Sequence, residues 1–312
     1  MERNTFLCYY TDKIMSKKTI IIFTLLAIGF LSFTWQIMGK KVSVVSSDKM
    51  NVVASFYPLA FLAEEIGGDK VVVRNITPTG AEPHEYEPSP RDLAEMEQSR
   101  VLIVNGLGLE PWYENAKKNI DPKKTDILAV GDGLGNTKDP HVWLSPVFMK
   151  IMGEKIERAF TKADPKNEKY YTENLQAVQA KLDILNMEYA QGLINCEQKS
   201  IVTSHKAFGY LASDYHLVQI PIAGLSPDAE PSSKQLADIA TFAKANKIGY
   251  IFFESLASPK LSETIATEIK AKTLVLNPIE GLTKEEMLQG KNYLSVMREN
   301  LANLQIALSC KK

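Results

Sequence analysis

Residues 164–194 read DPKNEKYYTENLQAVQAKLDILNMEYAQGLI. After the opening Asp-Pro there is no proline, and the only glycine, Gly192, stands near the end. Leu175, Val178, Leu182 and Leu185 recur every three or four residues, the spacing of one apolar stripe on a helix. At 1.5 Å per residue, such a helix is roughly 40–45 Å long, enough to span one domain and touch another.

Outward from this segment the pattern changes to alternation. Before it, NVVASFY, VVVRNIT, VLIVNG and DILAVG read as strands. PLAFLAEEIGG, SPRDLAEMEQS capped by Ser89, EPWYENAKKN and SPVFMKIMGEKIERAFTKA read as helices. After it, SIVTS, LVQIPI, IGYIFFES and TLVLN are strands. AFGYLASDY, SKQLADIATFAKAN, SPKLSETIATEIKA and TKEEMLQGKNYLSVMRENLANLQIAL are helices. Short Val/Ile runs between helices are the mark of buried parallel strands. The expected class is α/β: two βα lobes with central parallel sheets, at 50–163 and 198–312, joined by the helix of 164–197. Ligands of such sheets bind beyond the carboxyl ends of the strands, here in the cleft between lobes.

Residues 19–38, TIIIFTLLAIGFLSFTWQIM, carry no charge. Lys17 and Lys18 precede them; Lys40 and Lys41 follow. About 20 apolar residues can cross a bilayer, and the same run can be the core of a secretory signal. Residues 1–49 are therefore expected to be an uncleaved anchor or a cleaved signal with its linker, and the rest to work outside the cytoplasm. No Cys follows the apolar core to accept a lipid, and Cys8 lies upstream of it.

The 312 residues carry 36 basic and 37 acidic side chains. The first 50 hold seven Lys or Arg against three Asp or Glu, which leaves 29 basic and 34 acidic, a charge of −5, on the remainder. That surface suits a cation and not nucleic acid, which needs clustered positive charge. Apolar content of 45% excludes a disordered chain. Three cysteines make no disulfide scaffold, although a single Cys196–Cys310 bridge is open. A G-x-x-x-x-G-K-[ST] loop is absent, so the chain is not an ATPase.

Of the four histidines, three stand where α/β proteins place sites. His84 lies just after the second strand, His141 in KDPHVWLSP before a helix, and His205 directly after SIVTS. His216, in a helix-to-strand turn, reads as an ordinary surface histidine. Imidazole is a favoured ligand of Zn²⁺. A fourth ligand should come from the second lobe, where Glu254 and Glu280 each follow a strand. Asp228 and Glu230 are candidates for orienting a histidine through its other ring nitrogen.

At these residues the chain closely resembles the metal-binding solute-binding proteins of bacterial ABC importers, the zinc and manganese receptors. The resemblance rests on EPHEYEPSPRDL, VNGLGLEPW, DPHVWLSP, TSHKAFGYLASDY, IAGLSPDAEPSSKQL, FFESLASPKLSETIA and LNPIEGLTKEE, which occur in family order over about residues 50–308. It implies two α/β lobes joined by a rigid long helix, with one metal ion between them. Position by position, it implies His84 and His141 as ligands from the first lobe and His205 as the third. The manganese branch generally has Glu at that third position, so His205 points to zinc. The fourth ligand is then Glu280, with Glu254 behind the site or structural. One Zn²⁺ per chain would pass to an ABC permease in the cytoplasmic membrane, driven by its ATPase, from a monomeric receptor that is no enzyme. Two departures stand out. Residues 85–140 hold no histidine, so the His-rich loop of many zinc receptors is missing, and so is the usual lipoprotein Cys. The competing readings are a manganese or iron receptor on the same scaffold, a surface adhesin, and a zinc hydrolase. The last lacks H-E-x-x-H and, with four protein ligands, an open position for water.

Overall fold

The computed structural model describes residues 49–135 and 138–311. The expected anchor or signal at 19–38 and Cys8 lie outside the described residues, among which no helix is long and apolar enough to cross a membrane.

Two four-stranded parallel sheets form the frame. The first contains β1 (Met50–Ala54), β2 (Val71–Asn75), β3 (Val101–Val104) and β4 (Asp126–Ala129), in the order β2-β1-β3-β4. The second contains β5 (Ser200–Thr203), β6 (Val218–Pro221), β7 (Tyr250–Phe253) and β8 (Lys272–Val275), in the matching order β6-β5-β7-β8. Parallel strands must be joined by crossovers. In the first sheet these are α1 (Tyr57–Gly67), α2 (Pro90–Gln98) and α3 (Tyr113–Asn119), with α4 (Pro146–Ala163) following β4. In the second they are α6 (Gly209–Asp214), α7 (Ser233–Ala245) and α8 (Lys260–Ile269). Start signals in the sequence act as expected. Ser89 caps α2 in a reciprocal box with Asp92, and Ser145 caps α4 ahead of Pro146.

The long helix is α5, Glu168–Gly192, 25 residues and about 37 Å. It is shorter than the sequence pattern suggests because Asp164 precedes a proline. That position disfavours helical backbone, and Asp164 stands outside the helical region at φ −144°, ψ 73°. A single 3₁₀ turn, Pro165–Asn167, intervenes before the helix starts. Its stripe, lengthened at both ends to Tyr171, Leu175, Val178, Leu182, Leu185 and Tyr189, is buried. The stripe packs on α1, α4 and the last helix, α10 (Tyr293–Ala307). One continuous apolar core therefore includes residues of both sheets and α5.

The expected single helix over 283–308 is two. Helix α9 (Lys284–Leu288) ends before Gly290, whose φ of +70° favours glycine, and Asn292 caps α10 afresh. Cys196 and Cys310 are joined by a disulfide.

Candidate metal centre

Because all strands within a sheet run parallel, their carboxyl ends share one edge, and both edges contribute to a single cluster. His84 comes from the loop after β2, His141 from the loop after β4, His205 from the turn after β5, and Glu280 from the loop after β8. Each offers one ligand atom, and these four atoms lie within 4.8 Å of one another. His84 Nε2 is 3.2 Å from His141 Nε2, which is 3.2 Å from His205 Nε2. Glu280 Oε1 is 3.3 Å from His84 Nε2, and 3.4 Å from both His141 Nε2 and His205 Nε2. His141, His205 and Glu280 are fully buried, while 8% of the His84 side chain is exposed.

Each of the two buried histidines is oriented by a carboxylate at its other ring nitrogen. Asp139 Oδ1 accepts from His141 Nδ1 at 2.8 Å and from the His141 main-chain N–H at 3.1 Å. Glu254 Oε1 does the same for His205, at 2.7 Å and 3.2 Å. With the proton held on Nδ1, Nε2 is the ring nitrogen that faces the cluster, and its lone pair can serve a cation once any second proton has left. The Glu280 loop is held from below. The Asn300 side chain accepts from Asn277 N at 2.8 Å and donates to Asn277 O at 2.7 Å. Asn277 Oδ1 in turn accepts from Ile279 N at 2.7 Å. Ile279 has φ +57°, a costly conformation for a β-branched residue, and the next residue is Glu280.

Electrostatics follow from this crowding. Burial alone would push Glu280 up, but hydrogen bonds from His141, His205 and His84 hold it well below the usual carboxylate range. Burial alone would push His205 down, but the charges of Glu254 and Glu280 outweigh it and raise it to about 10. His141 is likewise raised, against the effect of burial, by Asp139 and Glu280. Burial and the charge of Glu280 push Glu82 up to about 9. In the absence of a cation the cluster thus holds protons; a divalent ion would replace them.

The structure brings His84, His141, His205 and Glu280 together and places Glu254 directly behind His205. Asp228 is corrected: it is exposed, and its main-chain N–H donates to Ser226 Oγ at 3.2 Å. Glu230 is exposed too, as is His216, which sits at φ +55°. The role assigned to Asp228 belongs to Asp139. Its place two residues before His141, in DPHVWLSP, is the signal that would have found it. Glu82 was also missed, although it stands in the same loop as His84.

A family model described as "Zinc-uptake complex component A periplasmic", ZnuA, matches residues 52–307. The chain is 38% identical over 284 residues to the "High-affinity zinc uptake system protein ZnuA" of Bacillus subtilis, covering 85% of this chain and 89% of that protein. It is 39% identical over 277 residues to the "Zinc-binding lipoprotein AdcA" of Streptococcus pneumoniae; the match spans 82% of this chain but only 55% of that longer protein. Among solved structures, the Zn(II)-bound ZnuA-like domain of the same AdcA superposes with a TM-score of 0.75 at 40% identity, covering 83% of this chain and 99% of that domain.

Proposed function

The chain belongs to the family of periplasmic zinc-uptake components, and from that premise we propose that it is the extracytoplasmic zinc receptor of an ABC importer. The observation that carries the reading is the spacing of the four ligand atoms. A tetrahedral zinc ion with bonds of about 2.0–2.1 Å has ligands about 3.3–3.4 Å apart. Five of the six separations among the four atoms are 3.2–3.4 Å, and all lie within 4.8 Å. Three imidazoles and one carboxylate are a donor set for Zn²⁺, whereas Mn²⁺ favours more oxygen. His84, His141, His205 and Glu280 are the ligands of this reading, with Glu254 and Asp139 orienting two of them. Zinc is cargo here: four protein ligands leave no position for a reacting water, so the site binds and does not catalyse.

We read 50–163 and 198–312 as the two lobes, with 164–197 between them. The receptor delivers one Zn²⁺ as a monomer to a membrane permease and, through it, to an ATPase, and residues 19–38 hold it at the membrane or direct its secretion. The test is metal titration by calorimetry with Zn²⁺ and Mn²⁺ in competition. One tight Zn²⁺ per chain, not displaced by Mn²⁺ at equal free concentration, is expected. Two tight ions, or a preference for Mn²⁺, would overturn the reading.

A further inference from the structure

The segment 139–145 carries His141, and four of its hydrogen bonds, besides the contacts of the His141 ring, reach across to elements of the second half of the chain. Tyr210 on α6 donates to Asp139 O at 3.0 Å, and Ser145 Oγ donates to Asp214 Oδ2 at 2.6 Å. Trp143 is bonded at both ends. Its indole Nε1 donates to Pro278 O at 2.7 Å, and its main-chain carbonyl accepts from Tyr293 Oη, at the first residue of α10, at 2.6 Å. Trp143 and Tyr293 are fully buried. The indole packs edge-on against Phe56 and lies 5.2 Å, centroid to centroid, from the His141 ring. The Tyr293 ring stacks on Phe61 of α1.

The chain positions of these bonds matter. Trp143 is two residues after His141, and Pro278 is two residues before Glu280. One indole N–H therefore links the loop of a histidine ligand to the loop of the carboxylate ligand. Apart from the contacts of the Glu280 carboxylate itself, the backbone of this loop is held from its own side by Asn300 and Asn277. Ile279, between Pro278 and Glu280, has an unfavourable φ of +57°, which its surroundings must hold in place.

We propose that Trp143 is a positioning residue of the metal site, its indole N–H setting Glu280 against His141 through Pro278 and Tyr293 locking Trp143 in turn. This deepens the zinc reading above and rests on it. The bonds involve no metal ligand atom, so they hold the His141–Glu280 separation before a cation arrives. Removing the indole donor leaves a buried carbonyl without a partner and lets the strained turn relax, so zinc binding must then re-order it.

The experiment uses the full chain carrying Trp143→Phe, and separately Tyr293→Phe, which leaves all packing in place. Zinc affinity is measured against a competing chelator, the ligand-field spectrum with Co²⁺ substituted for zinc, and the melting temperature without metal. Expected are one Zn²⁺ per chain bound about tenfold more weakly in Trp143→Phe, by the loss of one buried hydrogen bond. A shifted or broadened Co²⁺ spectrum should appear in both variants. A lower melting temperature with affinity and Co²⁺ spectrum unchanged would mean that the clasp is structural only, and would overturn the proposal while leaving the zinc reading intact. Should Trp143→Phe fail to fold, Tyr293→Phe alone decides by the same two readings. Failure of the unsubstituted chain to bind zinc would overturn the zinc reading itself, and the positioning role with it.

Discussion

Glu254 and Glu280 both follow strands of the second sheet, both are buried, and both lie within 3.5 Å of a nitrogen of His205. What separates them is the nitrogen. Glu254 meets Nδ1 and Glu280 meets Nε2, so in the proposed site Glu254 orients the ring and Glu280 is the ligand. Glu280→Ala should lower zinc affinity by more than 100-fold, because an anionic ligand is lost. Glu254→Ala should cost about 10- to 100-fold, the usual effect of removing a carboxylate behind a metal-bound histidine. Competition titration of both variants checks the order, and a larger loss in Glu254→Ala would reverse the two roles. His205→Ala should abolish tight binding while His216→Ala, at an exposed turn, leaves it unchanged; equal losses would contradict the cluster. The three site histidines were legible because strand-end loops are few and His is rare in this chain. Asp228 and Asp139 show where legibility stops. Both are loop aspartates near strand ends, and only the packed direction of the loop decides which one reaches an imidazole.

Strand–helix alternation was readable throughout because buried parallel strands and amphipathic helices have different periods. Element ends were less so. Asp164-Pro165 and Gly290 break helical patterns that the apolar spacing alone would carry through. Cys196 and Cys310, 114 residues apart, offered no spacing signal, since their meeting depends on how α10 returns along α5. They close a short antiparallel contact that also includes Lys311 N to Asn195 O and Gln198 N to Leu308 O, both 3.0 Å. A bridge over so long a loop restricts the unfolded chain strongly, and its removal should cost about 2–5 kcal/mol. Cys196→Ser with Cys310→Ser should therefore melt several degrees lower, at about 2–4 °C per kcal/mol for a chain of this size. The bridge joins the segment between the C-terminal end of α5 and the amino end of β5 to the end of the chain, whereas the candidate ligand loops follow the carboxyl ends of strands, so zinc stoichiometry should stay at one. Calorimetric melting of the double variant, with and without zinc, reads both quantities; an unchanged melting temperature would mean the bridge adds nothing.

For the molecule as a whole, the proposed ligands come from loops of both sheets, so metal binding and folding form one linked equilibrium in this reading, and pH tunes it. Without metal, His205 is raised to about 10 and His141 is raised as well. A histidine whose folded pKa exceeds its unfolded value, about 6.5, stabilises the fold fully below that value. The contribution is lost as pH climbs through the folded pKa, so for His205 it fades between about 6.5 and 10. Glu280, held low, works in the opposite sense: its contribution is present above the ordinary carboxylate pKa and lost in acid. The metal-free protein should therefore lose stability as pH rises from 6.5 toward 9. Zinc binding moves the other way, because the ion must displace the protons on His205 and His141, and each proton released strengthens binding about tenfold per pH unit. Bound zinc stabilises by RT ln(1 + [Zn²⁺]/Kd), so a tighter Kd widens the difference between loaded and empty protein. At fixed free Zn²⁺, the gap in melting temperature between the two forms should grow steadily from pH 5.5 to pH 8.5. Scanning calorimetry in metal-buffered solutions measures it directly. A gap that is constant across that range would mean that the histidines are already neutral in the empty site, and that the carboxylates around them do not hold a second proton on each ring.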